Sequence, residues 1–414
     1  MSRETARAAV DIGTATMTIA RPGALADTSP PPDGGWPAAL ASLGPDARRG
    51  GLCLAVPDAW LDGSVAGTAA QEEARHLAED KHGLSPLRCA GQLSAVAALT
   101  ARDRGPGRYL ICDIGASGVR IVSAQVDGPA PGDPADGDTA SGSTAMVVTT
   151  IAAHHTDSGW RDFDASLRAR LAADGRRLPA DWYRHATTEP EDRRARLVLR
   201  QADGNADYAD TRAYSIAGPG GAGIIAAELI GCFTAIRRAL TAGIAAVTGG
   251  RRPDVTVLTG GFGWFPLVAC TVAAATGATG EVTGPGGPLI VPAEAAAEGA
   301  LLFASGQARQ AAAPPLTVTL PAYRISGGLL QTADLPLDWT SPFAELAGGP
   351  LHLEGDDLML TINGSPATVP LPGLTPGPHL IGIRRGWSGA AALVARPVAG
   401  GAPRIAALAP GAAR

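Results

Sequence analysis

Two stretches far apart in the chain share one plan, and that repetition constrains the fold more than any other feature. The first is Ala8-Ala9-Val10-Asp11-Ile12-Gly13-Thr14-Ala15-Thr16-Met17-Thr18-Ile19-Ala20, and the second is Tyr109-Leu110-Ile111-Cys112-Asp113-Ile114-Gly115-Ala116-Ser117-Gly118-Val119-Arg120-Ile121-Val122. Each is an apolar run, an Asp-Ile-Gly turn with small residues, and a second apolar run, which predicts a β-hairpin of buried strands. Turns of Gly, Ala, Ser and Thr let backbone N–H groups approach a ligand that larger side chains would hold off, and such concavities suit phosphate. An aspartate at the end of the first strand can hold, directly or through water, the hard cation that accompanies nucleotide phosphates. Repeated units imply duplicated halves.

A third turn, Val255-Thr256-Val257-Leu258-Thr259-Gly260-Gly261-Phe262-Gly263, adds a buried strand ending in glycines, where a flat adenosine could press against backbone. The chain holds 54 Gly and 34 Pro among 414 residues, so a glycine pattern counts only in its strand or helix context. Gly218-Pro219-Gly220-Gly221-Ala222-Gly223 satisfies a dinucleotide fingerprint, but a proline sits in its turn and the next strand ends without an acidic residue for a ribose. It reads as a loop and helix start.

The length allows two or three domains. Aromatic residues are only 4% of the chain, so the core is mostly Ala, Val, Leu and Ile, and Lys81 is the one lysine on which lysine chemistry could rest. A net charge of -5 excludes general nucleic-acid binding, which needs a basic stripe. Five widely spaced cysteines in mostly apolar runs fit reduced core residues. No apolar run reaches the ~20 residues of a membrane span, and the expected location is the cytoplasm. His154-His155 with Asp157 could ligate metal, but neighbours on a strand point to opposite faces.

Alternating strands (52–57, 86–90, 146–153, 255–258) and helices (64–81, 93–101, 162–173, 190–199, 223–247, 266–275, 293–305) predict an α/β layer architecture. Residues 21–49 and 128–143 read as loops, the first with at most one short helix. Beyond a linker at 311–315, short alternating strands and the turn signal Asn363-Gly364 predict a small all-β domain over 316–400, then a loose tail at 401–414.

The order of the three turns resembles the two phosphate motifs and the adenosine motif of the actin-like ATPase superfamily, and is most similar to the nucleotide-binding domain of DnaK-type, seventy-kilodalton heat-shock chaperones. Val56-Pro57-Asp58-Ala59-Trp60, the segment Leu87-Arg88-Cys89-Ala90-Gly91-Gln92, Ser158-Gly159-Trp160-Arg161-Asp162-Phe163-Asp164, and Val291-Pro292-Ala293-Glu294-Ala295 through Gly299-Ala300 resemble further family segments in the right order. The resemblance implies a duplicated actin-like (ribonuclease H-like) ATPase fold over 1–310, with lobe I at about 1–145 plus 290–310, lobe II at about 146–289, and a nucleotide cleft between them. It implies ATP and Mg2+ as cofactors, with Asp11 and Asp113 as metal carboxylates and catalytic groups. Phosphates would meet Gly13, Thr14, Ala15 and Thr16 on one side and Gly115, Ala116, Ser117 and Gly118 on the other. Adenosine would meet Gly260, Gly261, Phe262, Trp264 and Arg196. The family's catalytic glutamate falls on Gln92, which can orient water but is no base, and the family's phosphate-contacting lysine has no counterpart. The expected protein is therefore a divergent chaperone-like ATP-binding protein with weak ATPase at most, whose β-domain holds a polypeptide partner. The alternatives are a pseudo-ATPase interaction scaffold and, third, a metabolite kinase of the same superfamily.

Overall fold

Alternation of side-chain size along the first strands decides how the N-terminal sheet is covered. A computed structural model describes residues 8–13, 16–30, 32–33, 35–43, 52–84, 87–128, 145–180, 182–183, 189–215, 223–278, 287–311, 316–326, 329–337 and 350–408. β1 (Ala8–Ile12), β2 (Met17–Ala20), β3 (Asp27–Ser29), α1 (Gly35–Ser42), β4 (Leu52–Val56), α2 (Val65–Arg75), β5 (Leu87–Gly91) and α3 (Gln92–Arg104) come first. The strands lie in the order β3-β2-β1-β4-β5, with β2 antiparallel to both neighbours and β1, β4 and β5 parallel. Successive strand residues point to opposite faces. Val10, Ile12, Leu52, Leu54 and Val56 therefore face one way, against Leu40, Leu43 and Ala74. Ala9, Cys53 and Ala55 face the other way and form a shallow surface on which helices can sit close.

The chain continues through β6 (Gly107–Ile114), β7 (Val119–Asp127), β8 (Met146–Thr156), α4 (Trp160–Ala173), α5 (Glu189–Ala202), β9 (Arg212–Tyr214), β10 (Ile224–Ile225) and α6 (Ala226–Thr248). Then come β11 (Val255–Thr259), α7 (Pro266–Thr276), β12 (Leu289–Ile290), α8 (Ala295–Ala304) and β13 (Ala308–Gln310). The second sheet has the order β12-β11-β6-β7-β8-β13. Counted from β8, the run β8-β7-β6-β11-β12 repeats the order and the strand directions of the first sheet, and β13 adds parallel to β8. Residues 107–127, expected with the first lobe, pair instead into this second sheet, because β6 runs beside β11 from Tyr109↔Val255 to Asp113↔Thr259.

α3 and α8 lie between the two sheets. Ala95, Ala300 and Ala304 meet the first sheet, whereas Leu93, Val96, Ala97, Ala295, Ala296 and Leu302 meet the second. A Cβ on Gly299 would lie 2.1 Å from the Ala95 carbonyl oxygen, so the helices cross at a distance only glycine permits. The far face of the second sheet carries α4 to α7 and most of the described aromatic side chains, with Phe163, Phe233, Phe262 and Phe265 buried against Leu110, Cys112, Ile114 and Leu258. α6 is the one helix among the described residues long and apolar enough to cross a membrane, and it turns Leu229, Phe233, Ile236, Leu240 and Ile244 into this core.

The C-terminal region is two four-stranded antiparallel sheets. One has the order β15 (Leu329–Pro336), β14 (Val318–Ser326), β17 (Asp357–Ile362), β18 (Ser365–Pro370); the other has β16 (Leu351–Leu353), β19 (Gly377–Arg385), β20 (Ala391–Pro397), β21 (Arg404–Leu408). The β17–β18 turn places Asn363 and Gly364 at φ 50° and 81°, as an Asn-Gly hairpin requires. The tail expected at 401–414 is corrected here: Arg404–Leu408 pairs antiparallel with β20 and sends Leu408 into the domain core. A five-residue strand with an alternating inward Ala406 and Leu408 is too short for composition alone to reveal. The expected linker residues 312–315, the glycine-rich residues 216–222 and the loop residues 129–143 lie outside the described residues.

This β-domain is docked on the first sheet's periphery. Arg384 Nε lies 2.6 Å from Glu72 Oε1 with both side chains buried. Trp387 donates through its indole N–H to the Asp58 carbonyl at 2.9 Å and through its backbone N–H to Leu61 O at 3.1 Å.

Candidate functional site

The two repeated hairpins close in the same way. Gly13 N–H donates to Thr16 O at 2.8 Å, and Gly115 N–H donates to Gly118 O at 2.9 Å, so each turn leaves two residues at its tip. Thr14 and Ala15 at the first tip lie outside the described residues. Ala116 and Ser117 at the second tip are held from behind by α4, whose Trp160 and Arg161 N–H groups donate to Gly115 O and Ala116 O, both at 3.0 Å. These are helix N-terminal donors that otherwise lack partners. The third turn folds onto the second hairpin: Phe262 N–H donates to Ile114 O at 3.0 Å, and Gly260 has φ 83°, with any Cβ falling 2.1 Å from Asp113 Oδ1.

Between the three turns lies a cleft of about 940 Å³, lined by Asp11, Gly13, Thr16, Gln92, Asp113, Gly115, Ala116, Ser117, Gly118, Gly260, Gly261, Phe262 and Trp264. Its size falls in the range of about 300–1,000 Å³ usual for small-molecule sites. Every described residue expected at the nucleotide site thus reaches one cavity, except Arg196. Arg196 is not among the lining residues; it donates to the Trp264 carbonyl at 3.1 Å and so braces the third turn. Phe262 serves mainly as core: its side chain is 1% exposed, stacked on Phe265 at 4.6 Å and tilted against Trp160 at 4.4 Å. Trp264 is half-buried, with its indole N–H donating to Gly261 O at 2.8 Å. His155 is exposed and 3.2 Å from Asp157, and among the described residues no three His, Cys, Asp or Glu side chains form a group that could hold a metal.

The floor of the cleft is a continuous chain of polar contacts. Gln92, at the first turn of α3, donates to Asp11 and accepts from Arg120 Nη1. Arg120 in turn donates from Nε to Asp113 Oδ2 at 2.7 Å, and its Nη2 also contacts that oxygen. Burial pushes the Asp11 carboxyl up to about 6 against the opposing effects of the Gln92 hydrogen bond and the Arg120 charge, with Asp113 adding to the rise. Burial also opposes the charge on Arg120, but the neighbouring Asp113 and Asp11 carboxylates outweigh it and hold the guanidinium above its ordinary value. Gln92 and Arg120 thus occupy one oxygen of each carboxylate, Oδ1 of Asp11 and Oδ2 of Asp113.

Several residues of this site were not singled out from the sequence. Arg120 sits directly across the hairpin from Asp113, and the register of a two-residue turn between Gly115 and Gly118 carries that information. Asp58 is buried beneath the cleft and caps α3, accepting from Leu93 N at 2.8 Å, Ser94 N at 3.1 Å and Ser94 Oγ at 2.6 Å. Burial, only partly offset by these bonds, raises its carboxyl above the usual range. Trp60, Trp160 and Tyr183 give the cleft aromatic walls. Compared with known proteins, the chain matches no family model and no curated protein.

Proposed function

We propose that the two matching sheets are the halves of an actin-like, ribonuclease H-like ATPase fold, and that the cleft binds an adenine nucleotide. The carrying observation is the repeated sheet order with the same turn hydrogen bond, which brings Asp11 and Asp113 into one cavity with the third turn. In this reading the phosphates lie over residues 13–16 and 115–118, and the nucleoside lies against Gly260, Gly261 and Trp264. The protein is a divergent member of the DnaK-type chaperone-like group, and its β-domain takes a polypeptide partner. Gln92 is engaged at both ends of its amide. An amide is no general base, so turnover is weak at most.

A Cβ on Gly261 meets nothing within 4 Å, so Gly261→Leu adds bulk to the cleft without a core clash. Thermal unfolding tests the reading. ATP at a hundredfold excess over its Kd stabilises the folded state by about 2.7 kcal/mol, so the wild-type midpoint should rise by several degrees and that of Gly261→Leu should not move. A wild-type midpoint unchanged at millimolar ATP overturns it. The second reading, an interaction scaffold without turnover, is favoured by the engaged Gln92 and by the buried Arg384–Glu72 pair that fixes the β-domain on the first sheet's periphery. Phosphate release in a single-turnover assay separates the two readings.

A further inference from the structure

The cleft has two carboxylates and one guanidinium, and their arrangement bears on what accompanies the ligand. Arg120 lies cross-strand from Asp113, which it contacts through Nε and Nη2, and its Nη1 reaches Gln92, whose amide ties down Asp11. The guanidinium is thus bonded to one carboxylate and one amide away from the other. These three contacts use three of its five N–H donors. Its side chain is 29% exposed and lines the cleft, and one N–H on each of Nη1 and Nη2 is left beyond these contacts.

A small divalent cation prefers near-octahedral oxygen coordination and gives up water reluctantly. Arg120 holds Asp113 Oδ2, while Oδ1 lies against Gly260, so a cation that takes Oδ2 would displace a permanently charged guanidinium. That guanidinium would then be left in the cleft floor without its ion-pair partner, and beside a second positive centre. Among the described residues, the other charged or titratable groups lining the cavity are Asp11, Asp58, His154, His155 and Tyr183. Asp58 is already committed to the N-terminus of α3. An arginine, by contrast, offers paired N–H donors that match phosphate geometry.

Building on the nucleotide reading, we propose that this cleft binds its phosphorylated ligand without a divalent cation, with the Arg120 guanidinium in the position a metal would take between the two aspartates. Magnesium therefore adds little to affinity, and removing Arg120 makes binding metal-dependent by freeing Asp113 for the ion.

Isothermal titration of ATP into the full chain, in excess EDTA and in excess magnesium, tests this. Wild-type affinities within about twofold of each other support it. A wild-type affinity at least tenfold weaker in EDTA overturns it while leaving the nucleotide site standing, and binding in neither condition overturns both. In Arg120→Gln, affinity in EDTA should fall at least tenfold and magnesium should restore most of it; a variant that binds equally well in both conditions contradicts the assigned role. If Arg120→Gln does not fold, the wild-type ratio alone decides.

Discussion

The two hairpins that face each other across the cleft have the same turn and the same Asp-Ile-Gly, but they differ at one cross-strand position. Opposite Asp11 stands Thr18, and opposite Asp113 stands Arg120. The sheets behind them differ in the same spirit. The first is backed on its inner face by Ala9, Cys53, Ala55 and the alanines of α3 and α8, and the second is backed on its outer face by Phe163, Phe233, Phe262 and Phe265. A shared topology therefore fixes where the turns and aspartates lie. The residue across the strand then sets the cleft's charge, and side-chain volume sets which layer tolerates change.

That comparison can be broken by exchanging volumes. Phe262→Ala empties a fully enclosed aromatic site and should cost about 3–5 kcal/mol, read as a lower urea midpoint. The alanine layer should fail in the opposite way. Gly299→Ala drives a methyl group into the Ala95 carbonyl at the helix crossing and should cost about 3 kcal/mol through overpacking. Arg120→Ala should cost about 2 kcal/mol, because it leaves Asp113 and Gln92 without their partner, discounted for the 29% exposure of the arginine. Its counterpart Thr18→Ala should cost no more than about 1 kcal/mol, the worth of one hydroxyl hydrogen bond.

The pH dependence sharpens the contrast. Asp11 has a folded-state pKa raised from 3.8 to about 6, so the folded state binds the proton more tightly than the unfolded chain. Its contribution to stability is full below pH 3.8 and is lost as pH rises toward about 6, by about 3 kcal/mol. Asp11→Asn should flatten the stability profile over that window, as measured by chemical unfolding at each pH. At the β-domain contact, Trp387→Phe keeps an aromatic ring, loses the hydrogen bond to the Asp58 carbonyl, and should cost about 1 kcal/mol.

Hairpins, glycine turns and the strand-helix alternation were legible in the sequence because they are local: an apolar strand followed by a small-residue turn announces itself by period and composition, as the Ala-rich Arg404–Leu408 does not. The convergence of Asp11, Gln92 and Asp113 was legible only through the repeat and the order of motifs. Arg120 escaped because its significance is a cross-strand relation, visible once the register is fixed, although every residue needed to count it lay in the same stretch. Phe262 was assigned to a nucleoside surface on its position in the third turn, and Arg196 on the family resemblance alone. The ring belongs to a nine-membered aromatic cluster drawn from five separate segments, and no local pattern encodes that assembly. The division of the sheets near residue 106 was hidden for a related reason, since β6 finds its partner β11 across more than a hundred intervening residues.

The most direct test of the account is a crystal structure grown with ATP and excess magnesium. The account predicts a nucleotide in the cleft with its phosphates beside Gly13 and Gly115, and Arg120 still bonded to Asp113 and Gln92. A cleft without nucleotide, or a metal ion seated on Asp11 and Asp113 with Arg120 displaced, would contradict it.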